Sequence, residues 1–311
     1  MPELGLAREE LLRHAAGRTS AITVGVFDGV HLGHQHLIGQ LRDRAEERGL
    51  AAAIVTLHPA PIQVLRPQVR IAYLTSLEER IELLRASGVD AVAPLTFTSE
   101  LAALSALDFV ELLHSTLEMR FMLMGPDNAF GRGREGTPQR VAEIGEELGF
   151  EVEVLAAPLQ GEGARVSATS VREALQAGEM ETAARLLGRP FAVRGPVVRG
   201  NERGRTIGFP TANIAVTPDR ALPAFGVYVT RSTVGGRTYA SATNIGINPT
   251  FNDERPSVET YILDFEGDLY GRELRVEVLR RLRGEMKFES IDELKAAIAA
   301  DVEAAREYFR Q

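Results

Sequence analysis

Two histidines, His31 and His34, stand three residues apart just past the Asp28-Gly29 turn of the run VGVFDGVHLGH, Val24 to His34. That spacing puts both rings on one face of a helix's first turn. A first turn also offers unpaired N–H groups and the positive end of the helix dipole. Two imidazoles and a helix N-terminus aimed at one point suit phosphate charge that develops during nucleotidyl transfer. Plain capping or surface histidines are the alternative. Zinc is a weaker one, because no third His, Cys or carboxylate stands at ligand spacing.

Four more stretches carry chemistry-capable residues. In VSATSVREAL (Val166–Leu175), Ser167 or Thr169 can cap a helix with Arg172 one turn in, a set that can bind phosphate through charge-assisted hydrogen bonds. In GPDNAFGRGREG (Gly125–Gly136), the glycines permit a ligand close to backbone, and Asp127 and Asn128 can reach a ribose or base. In RGNERGRTIGFPTANI (Arg199–Ile214), Gly200, Gly204 and Gly208 form a loop able to close over phosphates. Pro210-Thr211-Ala212-Asn213 then supplies a hydroxyl and an amide oxygen suited to Mg²⁺. In SVETYILDF (Ser257–Phe265), Glu259 interrupts an apolar strand. Placed near a barrel mouth it is a candidate general base, and turned outward it is an ordinary solvated strand Glu.

These residues need elements to position them. Apolar runs alternate with amphipathic stretches through residues 20–155. Strands are expected at Ala21–Phe27, Leu50–Leu57, Val89–Phe97, Met119–Met124 and Phe150–Leu155. Helices fall between them: Gly33–Arg48, one opened by the Ser76/Glu79 capping box, one from Ser105, and one from Thr137-Pro138. Such alternation argues a parallel sheet covered on both faces, with ligands at the carboxyl ends of its strands. Past about residue 187 short alternating strands take over, as in Leu274, Val276 and Val278 against Arg275 and Glu277. Frequent glycine turns accompany them and predict a small antiparallel barrel or sandwich. A last helix is capped by Ser290 with Glu293, and Leu294, Ile298 and Val302 form its stripe. The boundary between the halves is placed near Leu187–Pro190, giving domains 1–186 and 187–311.

The length of 311 residues fits two domains. Formal net charge is −8, with −9 in residues 1–186 and +1 beyond, which disfavours a long nucleic-acid surface. There are no cysteines, excluding disulfides and thiolate chemistry and suiting a cytoplasmic protein. No apolar run spans a membrane, and the N-terminal stretch lacks the apolar region of a secretory signal. The only lysines are Lys287 and Lys295, neither in a GxxxxGK[ST] context, so Walker-type ATP chemistry is excluded.

Taken together, the motifs resemble the bacterial bifunctional riboflavin kinase/FAD synthetase family over roughly Thr23 to Arg306. Also matching are LLGRPF (Leu186–Phe191), GVY (Gly226–Tyr228), NIGINPTF (Asn244–Phe251), LYG (Leu269–Gly271) and LRGEMKF (Leu282–Phe288). The resemblance implies a Rossmann-like nucleotidyltransferase domain followed by a six-stranded flavokinase barrel. The barrel would phosphorylate riboflavin to FMN with ATP and Mg²⁺, leaving ADP. The first domain would adenylylate FMN to FAD and release pyrophosphate. By the same resemblance, His31 and His34 would stabilise the triphosphate and leaving pyrophosphate, with Gly25, Phe27, Asp28, Gly29 and Gly33 shaping the ATP site. Ser167, Thr169 and Arg172 would bind phosphate, and Asp127, Phe130 and Gly131 would lie by the adenosine. In the kinase, Gly200, Gly204, Gly208 and Pro210 would frame the ligands, Thr211 and Asn213 would hold Mg²⁺, Glu259 would be the base, and Arg283 would meet flavin or phosphate. The expected partners are these small molecules, with no nucleic acid, no membrane, and room for a weak homo-oligomer.

The departures lie in the first half. Asn128 stands where the family has an aromatic, Leu57 and His58 where it has a Phe and an acid, and Ala168 where it has Ser. They leave open a second reading, a riboflavin kinase with weak or altered nucleotidyl transfer. A flavin-binding regulator without turnover is a third, and the intact His31, His34, Thr211, Asn213 and Glu259 speak against it.

Overall fold

The structure, a computed structural model, describes residues 2–155, 160–161, 164–200, 204, 207–247 and 256–310. Its chain contacts divide it into two compact units, Met1–Ser167 and Ala168–Gln311.

In the first unit, β1 (Ser20–Gly25), β2 (Ala51–His58), β3 (Ala91–Thr96), β4 (Met119–Met124) and β5 (Glu151–Val154) form one parallel sheet in the order β3-β2-β1-β4-β5. Alternate residues feed two cores. Ile22, Val24, Val55 and Met122 join Phe109, Val110 and Phe130 on one face; Ala21, Ile54, Phe121 and Leu123 join Ile38, Leu41 and Leu84 on the other. The second face is covered by α2 (Leu32–Arg48) and α4 (Leu77–Ala86). The first face is covered by α6 (Ala106–Leu117) and α7 (Pro138–Leu148), with α1 (Pro2–Arg13) packed on α6 and β3. Two short helices, α3 (Pro61–Leu65) and α5 (Ser99–Ala103), complete the set.

The sequence signals for helix starts hold in detail. Ser76 and Glu79 close a reciprocal capping box, Ser105 does so with Asp108, and Thr137 caps α7 with Pro138 at its first position. Helices α1, α3 and α5 carry no comparable start signal and were not expected from the sequence.

The second unit opens with α8 (Ala168–Ala177) and α9 (Met180–Leu187), after the two-residue strands β6 (Gln160–Gly161) and β7 (Ala164–Arg165). The expected division at 186/187 and the packing division at 167/168 differ by this helical pair. The pair goes with the barrel because Ala224 N–H donates to Leu175 O at 2.8 Å and Gly178 rests on the Arg281 side chain. The barrel is closed and six-stranded: β8 (Phe191–Val198), β9 (Ala212–Ile214), β10 (Gly226–Val234), β11 (Arg237–Ile247), β12 (Pro256–Ile262) and β13 (Glu273–Arg283), in the order β10-β11-β12-β9-β8-β13.

Leu274, Val276 and Val278 point into the barrel, as the alternation predicts. Part of its interior is polar. Ser232, Ser241, Thr230, Thr243 and Thr260 are fully buried and linked in that order by hydroxyl hydrogen bonds of 2.8–2.9 Å. The outer face formed by Val229, Ala242 and Leu263 is covered by α10 (Ile291–Arg310) through Val302 and Ala305. Ser290 Oγ accepts from Glu293 N–H, and the Glu293 carboxylate reaches Glu289 N–H instead of the Ser290 amide.

Candidate active sites

In the first sheet the central strand β1 has β2 on one side and β4 on the other, so the chain order reverses at its carboxyl end. That crevice is where open parallel sheets bind ligands. The turn carrying His31 and His34 sits there. Its backbone is strained: Phe27 has φ +53° and Val30 φ +40°, conformations that side chains, a β-branched one above all, rarely adopt. Both are buried, and Gly29 between them has φ +75°. Gly33 has little room for a side chain. A Cβ there would stand 3.1 Å from the His31 ring and 3.2 Å from Val166 O, so the segment just before α8 closes on this turn.

His31 is the N-cap of α2, not a residue of its first turn. Its Nδ1 accepts from His34 N–H at 3.3 Å. Accepting at Nδ1 requires the ring's proton to be on Nε2, which makes Nε2 the donor. The rings of His31 and His34 stack at 3.7 Å with a 17° tilt, and Phe27 meets His34 edge-on at 5.1 Å. Burial, then the neighbouring His31, then the Arg80 charge, hold the His34 imidazole well below its ordinary pKa, so it is neutral at pH 7. Its Nδ1 is buried with no hydrogen-bond partner among the described residues.

Asp28 faces away from any ligand. Its carboxylate accepts from Leu74 N–H at 2.9 Å and Thr75 N–H at 3.2 Å, and lies 3.7 Å from the Arg80 guanidinium. Gly25 is pressed against the Phe27 ring.

The loop after β4 borders the same crevice. Asn128 Nδ2 donates to Val24 O at 3.2 Å, near the end of β1. Asp127 is exposed, and its carbonyl accepts from Arg134 at 2.9 Å. Gly131 has φ +70°, and a Cβ there would fall 2.5 Å from Ala106 N, so only glycine fits. Phe130, expected beside an adenosine, is instead in the core, 5.6 Å from Phe109, because its pairing with Gly136 turns the ring inward. Leu57 is buried, and the His58 ring lies 5.3 Å from that of Tyr73. Ser167 immediately precedes α8, Ala168 opens it, and Thr169 and Arg172 follow along it.

In the barrel the candidate residues gather on its outer surface. Thr260 faces the interior, so its neighbour Glu259 faces out. Glu259 pairs with Asn213 of β9 on one side and Asn244 of β11 on the other. Thr211 follows Asn213 along the same face. Gly200 packs on the Asn213 amide and Gly204 beside the Thr211 hydroxyl, where a side chain on either glycine would collide. Gly208 adopts φ +92°. Residues 201–203 and 205–206 of this loop, and 248–251 of NIGINPTF, lie outside the described residues.

A cleft of about 1180 Å³ opens beside this face, walled by Pro210, Thr211, Tyr261 and the 264–270 segment with Leu269 and Tyr270. At the other end Glu285 lies over Gly246, next to the Asn244 amide. Arg283, expected to meet flavin or phosphate, is held elsewhere. It grips the Asp301 carboxylate through Nε at 3.1 Å and Nη2 at 2.8 Å, tying α10 to β13. The sequence reading passed over Asn244, Glu285, Thr75 and Arg80. A register pairing and a fully buried arginine leave no local signal.

The FAD synthetase family model matches residues 14–170 and the riboflavin kinase family model residues 187–309. The chain is 39% identical to a bifunctional riboflavin kinase/FMN adenylyltransferase of Escherichia coli strain K12, over 96% of this chain and 95% of that one. It is 40% identical to the protein of the same name from Pseudomonas fluorescens, over 93% of each. A solved structure titled macrolide-efflux protein, from Streptococcus pneumoniae, superimposes with a TM-score of 0.86 at 32% identity, covering 95% of this chain and 96% of that one. Among the described residues no helix is long and apolar enough to cross a membrane.

Proposed function

The chain belongs to the bifunctional riboflavin kinase/FMN adenylyltransferase family, and from that premise we propose how its residues divide the two reactions. It converts riboflavin to FMN with ATP, and FMN to FAD with a second ATP. The carrying observation is that each family match falls on a unit with its own phosphate-suited site: the histidine turn in one, the Glu259 face in the other. We place the protein in the cytoplasm on its cysteine-free composition.

In the kinase, Glu259 takes the proton of the riboflavin 5'-hydroxyl as its oxygen attacks the γ-phosphorus of ATP, and ADP departs. The donors present fit Mg²⁺, since Thr211 and Asn213 offer neutral hard oxygens on one face with Glu259. When bound, Mg²⁺ supplies neutralisation of phosphate charge. Gly200 and Gly204 allow backbone against those side chains, and the adjoining cleft accommodates the nucleotide. Glu285 and Asn244 stand at the end where the flavin hydroxyls would enter.

In the adenylyltransferase, a phosphate oxygen of FMN attacks the α-phosphorus of ATP and the bond to pyrophosphate breaks. His31 donates from Nε2 to the charge that develops, and neutral His34 stacks behind it. Gly25, Phe27, Asp28, Gly29 and Gly33 set the turn. Asp127 and Gly131 shape the adenosine side, with Phe130 supporting them from the core. Ser167, Thr169 and Arg172 bind phosphate. Arg283 acts through its hold on α10.

The test is direct. Protein incubated with riboflavin, ATP and Mg²⁺ should yield FMN and then FAD on chromatography. FMN without FAD would establish the second reading, a kinase with altered nucleotidyl transfer. That reading is favoured by one observation, the Asn128 side chain turned back on Val24 where a stacking ring was expected. No FMN would overturn both.

A further inference from the structure

Arg80 is fully buried on α4, yet its side chain reaches the turn that carries the histidines. Nη1 donates to Val26 O at 2.9 Å, and Nη2 lies 3.7 Å from the Asp28 carboxylate. Its guanidinium stands 5.4 Å from the centre of the Tyr73 ring, whose hydroxyl accepts from Ala60 N–H at 2.7 Å. Thr75 completes the brace, since its Oγ1 accepts from Gly29 N–H at 3.2 Å and donates to Asp28 at 3.3 Å.

The braced segment is the strained one. Val26 and Asp28 flank Phe27 at φ +53°, and Gly29 precedes Val30 at φ +40°. Strained backbone persists only where its surroundings over-determine it. Here the determinants are one buried guanidinium, one buried carboxylate and one buried hydroxyl, and the residue just past the strain is His31.

We propose that Arg80, with Thr75, is a positioning residue for FMN adenylylation: it clamps the Val26–Val30 backbone and thereby fixes where His31 and His34 stand. It does not touch substrate, being sealed from solvent. This inference rests on the adenylyltransferase reading above. The groups that bear on His34 are His31 from its own helix start and Arg80 from α4, with Asp28 held against Arg80. Losing the guanidinium therefore moves two things at once, the geometry of the pair and the ease of protonating it.

The experiment uses the full chain, with riboflavin phosphorylation as an internal control. R80M should lower kcat for FAD formation from FMN and ATP about 100-fold, the scale of a misplaced catalytic group. Riboflavin phosphorylation should stay at wild-type rate, and the acid limb of the adenylylation pH profile should move to higher pH. R80K should recover part of kcat and restore the limb, since it keeps the charge without the fork. A purely structural arginine would lower the melting temperature while leaving kcat per folded molecule and the acid limb where they were, and that result overturns the proposal. Should R80M not fold, T75V decides, since it keeps Arg80 and removes only the hydroxyl shared by Gly29 and Asp28. A drop in kcat supports the proposal and a wild-type kcat overturns it. Wild-type protein that makes FMN but no FAD would instead bring down the adenylyltransferase reading itself.

Discussion

The two candidate sites are built on different principles. In the parallel-sheet unit the site is a single strained turn, held by buried side chains that seldom meet solvent: Asp28, Arg80, Thr75 and the stacked His31 and His34. In the barrel no comparable clamp stands behind Glu259. Strand register places it between Asn213 and Asn244, and the residues over it come from glycine-bearing loops. The first arrangement spreads the placement of one imidazole over many partners. The second relies on the barrel ladder, which a point change at the surface leaves intact. The sheet site should therefore be sensitive to substitutions several residues away, and the barrel site chiefly to its own functional groups.

The sharpest way to break this contrast is Glu259→Ala. FMN formation should fall about 10²–10⁴-fold, the usual worth of a general base. FAD formation from supplied FMN should persist at wild-type rate. Loss of both in a folded variant would mean that the sites are not independent. Next comes His31→Ala, expected to cost about 10²–10³ in FAD formation and to leave riboflavin phosphorylation alone. The variant also loses the cap of α2, about 1 kcal/mol of stability. A lowered melting temperature with an unchanged rate would reduce His31 to its cap.

Arg283→Met tests whether the barrel has a buried brace of its own. Asp301 is left almost buried without its partner, so stability should fall by about 1–3 kcal/mol with the KM for riboflavin unchanged. A raised KM at full stability would make Arg283 a ligand contact instead. The smallest effect is in pH. The unfolded chain protonates His34 near its ordinary value of about 6.5, whereas the native ring takes its proton only at lower pH. Between those points the unfolded state binds more protons. The sheet unit should thus lose stability as pH falls below about 6.5 and gain nothing above it. Denaturant titrations at a series of pH values would show this, and a flat profile would contradict the neutral, buried ring.

Much of the fold was legible because it follows local rules. Ser76, Ser105 and Thr137 cap helices where their spacing placed them, β4 spans Met119–Met124 as its apolar run predicts, and the alternation around Val276 is that of a barrel strand. The motifs located both candidate sites for the same reason, since each is a contiguous run. What escaped was set by distant partners. Nothing around Arg80 in LEERIELL marks it as buried, because what buries it is a turn more than fifty residues earlier. Phe130 lies in the core and Arg283 on Asp301 through contacts that no window of sequence contains. The positive φ values of Phe27 and Val30 are likewise imposed by tertiary bonds against the preference of their side chains.

The hydroxyl chain inside the barrel bears on how such a protein can change over time. A slip of one residue in β10, β11 or β12 would turn Ser232, Ser241, Thr230, Thr243 and Thr260 outward and leave apolar side chains opposite none of their partners. The interior therefore fixes the alignment of the three strands without help from the loops that join them. Segments such as 199–210 and 264–270 are then at liberty to lengthen, shorten or exchange residues, and with them the range of ligands, while Glu259 and Asn213 keep facing one another.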